Sequence, residues 1–179
     1  MALIFYTFVL AVVFAFAEVQ IEGVHGWAEK LPTWRAPKKS FWGSLMASVM
    51  NGKELTGYHI CIWALIILIF HFPFVTGLPL TLNNWLMLMV PFILFIGVWD
   101  FLWFIFNPAY GLRSFRPGSI TWHKDWFLGM PVDYWKGIIL TLVLAYFMPN
   151  GMQWWLSCVV SLGALTAVTT AIFEAIRNR

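Results

Sequence analysis

The stretch NWLMLMVPFILFIGVWDFLWFIF, Asn84–Phe106, decides how the rest of the chain is read. Asp100 is its only charge, and as a helix it rises about 34 Å, enough to cross a hydrocarbon core of roughly 30 Å. A helix that is apolar all round belongs in the core of a large protein or in a membrane. A chain of 179 residues, 61% of them apolar, has no core large enough to hide such a helix and its equals. Only 11% of its residues are charged, against about a quarter in soluble domains.

Working outward, comparable runs predict spans over about 2–22, 55–75, 132–148 and 152–173 as well as 84–106. The expected fold is an all-α integral membrane protein of five transmembrane helices, one embedded domain covering 1–179. Twelve Trp, many near span ends, suit the headgroup region, where an indole buries its ring and keeps its N–H wet.

The basic residues give a topology. Lys30, Arg35, Lys38, Lys39 and Lys53 fall in the first connection; Arg113, Arg116, Lys124 and Lys136 fall in the third; Arg177 and Arg179 are in the tail. The second and fourth connections have none. Under the positive-inside rule, connections 1 and 3 and the C-terminus are cytoplasmic and the N-terminus is outside. Residues 3–14 followed by Ala15-Phe16-Ala17 imitate a secretory h-region with its cleavage site. No Lys or Arg precedes them, so a retained first span is expected.

The connections differ in kind. Pro32 and Pro37 forbid one continuous helix in the first. Ser40 caps a short helix near 40–50, expected to lie at the membrane interface. Pro73 and Gly77-Leu78-Pro79 are expected to end the second span, and Pro91 to kink the third. The third connection, 107–135, is long, aromatic and rich in Gly and Pro, which predicts an ordered cytoplasmic cap. Cys61 and Cys158 fall near opposite ends of the spans, too far apart for a disulfide.

This topology brings ionisable groups from separate segments to one depth. Glu18 and Glu22 share a helix face, and Glu22-Gly-Val-His25 has the E-x-x-H spacing that di-iron bundles use twice. Asp100, His59, His123 and Asp133 reach the same level. A carboxylate inside a span is costly unless paired or facing water, so Glu18 and Asp100 are functional candidates by default. The bland alternatives are wet headgroups for Glu22 and His25, and for Asp100 a structural pair with Arg113, Arg116 or Lys136. His71 lies near the other face and reads as structural.

The leading reading is a small membrane enzyme acting on a lipid or other apolar substrate. Glu18, Asp100 and His123 are its expected catalytic groups. Glu22, His25 and His59 are its expected metal ligands, a mixed oxygen and nitrogen set that suits Fe, Mn or Zn. Arg113 and Arg116 would hold an anionic headgroup. The expected partner is membrane lipid. The alternatives are an accessory subunit bound to other membrane subunits and, with less support, an ion or proton carrier, whose pathway would need polar groups in both halves of the membrane. A net charge of +3 gives a nucleic-acid role little support. No H-E-x-x-H, G-x-S-x-G or G-x-x-x-x-G-K-[ST] occurs, which removes a zinc protease, an α/β-hydrolase and a P-loop enzyme.

Overall fold

Helix α4, Leu82–Phe106, is the element that the others pack around. A computed structural model of the chain describes residues 1–120 and 122–179. Thr121, at the head of the Thr121–Trp126 segment, lies outside the described residues. In chain order the elements are α1 (Ala2–Glu22), α2 (Phe41–Val49), α3 (Gly57–Val75), α4, a 3-10 turn at Leu112–Ser114, a hairpin of β1 (Trp126–Phe127) and β2 (Met130–Pro131), α5 (Val132–Tyr146) and α6 (Gly151–Arg177). The chain is thus mostly helical, with one small antiparallel hairpin pairing Trp126 with Pro131 and Phe127 with Met130.

Four of these helices, α1, α3, α4 and α6, are long and apolar enough to cross a membrane, as an integral membrane protein requires. The fifth expected span, α5, is one of the shorter helices at 15 residues, about 22 Å. Other boundaries also move. Helix α4 begins at Leu82 rather than Asn84, because the Thr81 hydroxyl accepts from Asn84 N at 3.2 Å and caps the helix there. Helix α3 ends at Val75 as expected but begins at Gly57 rather than 55, because Thr56 caps it. Helix α6 runs one turn past 173 to Arg177.

Why α1 lies against α4 can be read from its buried positions. Ile4, Phe8, Ala11, Ala15, Val19 and Glu22 recur at spacings of three and four and form one stripe. The small Ala11 and Ala15 let the backbones approach, as helices associating in lipid require. Phe16 stacks on Phe106 at 4.1 Å, and Phe14 meets Phe95 and Trp99 edge-on. Glu22 closes this stripe, so the same periodicity that buries α1 turns a carboxylate inward.

Hydrogen bonds fix the helix directions. Asn107 Nδ2 donates to Gly23 O at 2.9 Å, joining the C-terminal ends of α1 and α4. Arg177 Nη2 donates to Ile105 O and Asn107 O at 2.8 and 3.1 Å, while Trp154 Nε1 donates to Met87 O at 3.2 Å. Helix α6 therefore runs parallel to α4. Arg177 also supplies partners for carbonyls that a helix C-terminus leaves bare. Trp85 Nε1 donates to His71 Nε2 at 3.2 Å, which sets α3 antiparallel to α4 and gives His71 the structural role expected of it. The long connections 23–56 and 107–131 and the tail share one end of the bundle, and with them all eleven Lys and Arg.

The first connection folds back on itself. An Arg35–Thr56 bridge, Ala36 N to Leu55 O and Gly57 N to Trp34 O bring 34–36 against 55–57. Helix α2 projects from this clasp with Ser40 as its cap, accepting from Gly43 N at 3.1 Å. Phe41, Trp42 and Val49 on α2 are exposed.

Candidate functional site

The last turn of α1 supplies the first two acids. The helix stops at Gly23, whose φ of 64° only glycine adopts freely. Gly26 repeats the device with a φ of 63°, and a Cβ there would meet the Trp103 and Trp122 rings at 3.2 and 3.1 Å. The turn returns the Ala28 N–H to the Glu22 carboxylate, which accepts it through Oε1. Because the helix has ended, Glu22 and His25 do not share a helical face. His25 is exposed and lines no part of the cavity described below. The expected Glu22, His25 and His59 ligand set is therefore not assembled, and no group of three or more His, Cys, Asp or Glu among the described residues is arranged to hold a metal ion.

His59 comes to Glu22 from the first turn of α3. Thr56 caps that helix, its hydroxyl accepting from His59 N at 3.3 Å and lying 2.7 Å from His59 Nδ1. With the hydroxyl donating to Nδ1, a neutral imidazole carries its proton on Nε2. That atom faces Glu22 Oε1 at 3.9 Å, too long for a direct hydrogen bond. The Trp27 ring covers the imidazole at 4.6 Å and is itself held by a bond from Nε1 to Glu54 O.

A second cluster forms on α4, α5 and the third connection. Asp100 Oδ2 accepts from the Tyr134 hydroxyl at 2.5 Å and lies 2.9 Å from His123 Nε2. A carboxylate at Nε2 places the imidazole proton there and leaves the Nδ1 lone pair free. Among the described residues His123 Nδ1 has no hydrogen-bond partner; it is shielded from water and lies 4.0 Å from Asp133 Oδ2. Trp126 Nε1 donates to His123 O at 3.2 Å and anchors the loop that carries the imidazole. Asp100 does not pair with Arg113, Arg116 or Lys136, the cations weighed for it; Lys136 binds Asp133 at 2.8 Å instead.

Both clusters line one cavity of about 1370 Å³, bounded by α1 to α6 and by residues of both long connections. Glu18, Glu22, His59, Asp100, His123 and Asp133 all contribute to its wall. The Glu18 carboxylate lies within electrostatic reach of Glu22, Asp100 and the Trp99 indole. Most of the remaining lining is apolar, including Leu45, Trp63, Ile93 and Leu162. Arg113 and Arg116 are exposed and do not line it; Arg116 donates to Ser119 Oγ at 3.3 Å. In the third connection, burial and the nearby Glu29 hold the Tyr110 phenol above its ordinary range. It stays protonated and donates to Val24 O at 3.2 Å.

Sequence reasoning missed two of the groups that organise this site. Tyr134 had a signal in Gly97, one turn before Asp100 on α4, where a Cβ would lie 3.8 Å from the Tyr134 ring. Thr56 had one in its position just before Gly57, as a cap with His59 three residues on. Known protein families, curated proteins and solved structures show no match to this chain.

Proposed function

We propose that this protein is a five-pass membrane enzyme that carries out acid–base chemistry on a lipid or other apolar substrate, in a cavity at the cytoplasmic membrane boundary. The observation that carries the reading is the Tyr134–Asp100–His123 chain. It sits on the wall of a largely apolar cavity of about 1370 Å³ and leaves His123 Nδ1 without a partner. Buried polar groups are almost always hydrogen-bonded, so an unsatisfied nitrogen on an oriented imidazole is a candidate base.

In this reading His123 Nδ1 takes a proton from the substrate. Asp100 is the positioning residue, holding the imidazole by Nε2 and stabilising the imidazolium that forms. Tyr134 fixes Asp100. Glu18, beside the Trp99 indole and facing the same cavity, is the group that returns a proton. Glu22 and His59 shape the adjoining wall.

The five-pass topology has support of its own. Helix α5 begins at the depth of Asp100, to which Tyr134 is bonded, and feeds α6, whose Trp154 reaches Met87 near the start of α4. It thus runs beside most of α4. All the basic residues lie at the other end from His71, as the positive-inside rule places them in the cytoplasm.

The test is to reconstitute wild type, Asp100→Asn and His123→Gln in membranes of the native lipid extract and to compare lipid composition by mass spectrometry over time. General acid–base groups contribute about 10² to 10⁴ in rate. A product formed by wild type and reduced to that degree in both variants supports the proposal. Identical lipid profiles for all three proteins, each folded by near-UV circular dichroism, refute it.

A further inference from the structure

The polar end of the cavity is acidic, and its charges are unevenly compensated. Of the acids that line it, Asp133 pairs with Lys136 at 2.8 Å and Glu174 with Arg177 at 3.2 Å. Glu18, Glu22 and Asp100 pair with no Lys or Arg among the described residues, and no Lys or Arg lines the cavity among them. Of the cations nearby, Lys53 alone is within electrostatic reach of Glu22, without forming an ion pair with it. Arg35 holds Glu54 and the carbonyls of Ala28 and Glu29, and Lys53 sits over the Trp122 ring at 5.5 Å. Arg113 and Arg116, expected to hold an anionic head, face outward.

A second observation points to a ligand rather than to a merely acidic surface. His123 Nδ1 is unpartnered although its side chain is only 6% exposed. The cavity whose wall includes His123 is larger than the roughly 300–1,000 Å³ typical of small-molecule sites and is walled mainly by apolar side chains.

We infer that the cavity takes a long-chain amphiphile whose head donates hydrogen bonds and carries no negative charge, an alcohol or an amine rather than a phosphate or carboxylate. The apolar walls from α2, α3 and α6 receive the chain. The head lies among Glu18, Glu22 and Asp100, which accept hydrogen bonds whether or not they are ionised. An ionised carboxylate also repels an anionic head, and the low dielectric strengthens that repulsion. This inference rests on the cavity being a substrate site, as proposed above, and names the class of substrate.

The experiment uses the full chain in phosphatidylcholine nanodiscs and four amphiphiles with the same brominated chain, ending in an alcohol, an amine, a carboxylate or a phosphate. Bromine quenches the fluorescence of Trp63, Trp99 and Trp103, which line the cavity. Displacement by the unbrominated analogue separates site binding from chains dissolved in the bilayer. Saturable, displaceable quenching by the alcohol or the amine, at least tenfold tighter than by either anionic head, is the expected result; which of the two binds better identifies the source. The combined Glu18→Gln, Glu22→Gln and Asp100→Asn variant should narrow that gap by weakening the rejection of anions. An anionic head that binds as tightly as the neutral or cationic ones overturns the inference, as does the absence of displaceable quenching by any of the four. The wild-type comparison decides the matter even where the triple variant does not fold. Binding without turnover would sink the enzyme reading alone, whereas turnover of an anionic lipid would sink this inference alone.

Discussion

The two acid–imidazole pairs in the cavity wall are built from similar parts and do different things. Around Glu22 and His59 the polar atoms are satisfied locally. Glu22 closes a turn through the Ala28 N–H, His59 Nδ1 faces its own helix cap, and the gap between the two side chains is 3.9 Å. Around Asp100 and His123 the bonds run between distant segments, from α5 through α4 to the third connection, and end on a nitrogen with no partner. The first pair holds a fold of the backbone; the second leaves an imidazole nitrogen unsatisfied among the described residues. Matching residue types therefore do not imply matching roles, and the direction of the hydrogen bonds separates them.

The largest expected effect tests that division directly. Asp100→Asn should lower kcat by about 10² to 10⁴, the range for a general base that has lost its orientation, with little change in the unfolding temperature. An equal loss of stability and activity would move Asp100 to the structural side. Glu22→Ala should do the reverse. It leaves the Ala28 N–H without its acceptor and should destabilise the protein by about 1–3 kcal/mol, read by thermal unfolding in detergent, whereas kcat per folded molecule falls much less than in Asp100→Asn. A Glu22 variant that stays fully stable but inactive would make the two pairs partners in one mechanism.

Smaller effects sharpen the comparison at its edges. Gly26→Val should cost about 1–3 kcal/mol, because a β-branched residue would be held at a φ of 63° against two indole rings. Arg177→Met should cost about 1 kcal/mol, measured the same way, since it removes the donor that satisfies Ile105 O and Asn107 O. Arg113→Ala and Arg116→Ala should change stability by less than about 0.5 kcal/mol, as surface positions do, and should leave the lipid profile of the reconstitution assay unchanged. A loss of turnover in either arginine variant would restore the headgroup role that their outward placement removes.

The long apolar helices were legible because length and lack of charge are properties of a run, independent of what it packs against. Helix ends were less so. Helix α3 stops at Val75 as read, yet it starts at Gly57 rather than 55, where the Thr56 hydroxyl caps it. His25 was misplaced for a similar reason. Its spacing from Glu22 has meaning only if the helix continues, and Gly23 at positive φ ends it. Charged and imidazole side chains at one depth could be anticipated from topology, but Tyr134 and Thr56 could not. A hydroxyl in an apolar helix carries no charge to demand an explanation, and its partner is set by rotation of the helix about its axis. The outward direction of Arg113 and Arg116 depends on the path of an irregular loop, which composition does not encode.

If the cavity takes a substrate from the lipid, as proposed, helix α2 is its doorway. Its Trp42 and Val49 are exposed on the protein surface and also form part of the cavity lining. In a bilayer, a hydrophobic molecule dissolved in the leaflet can slide past them without ever meeting bulk water. The quantity that sets occupancy is then the mole fraction of that molecule in the membrane. Diluting the protein and its ligand together with inert lipid should slow the reaction, while adding more buffer should not.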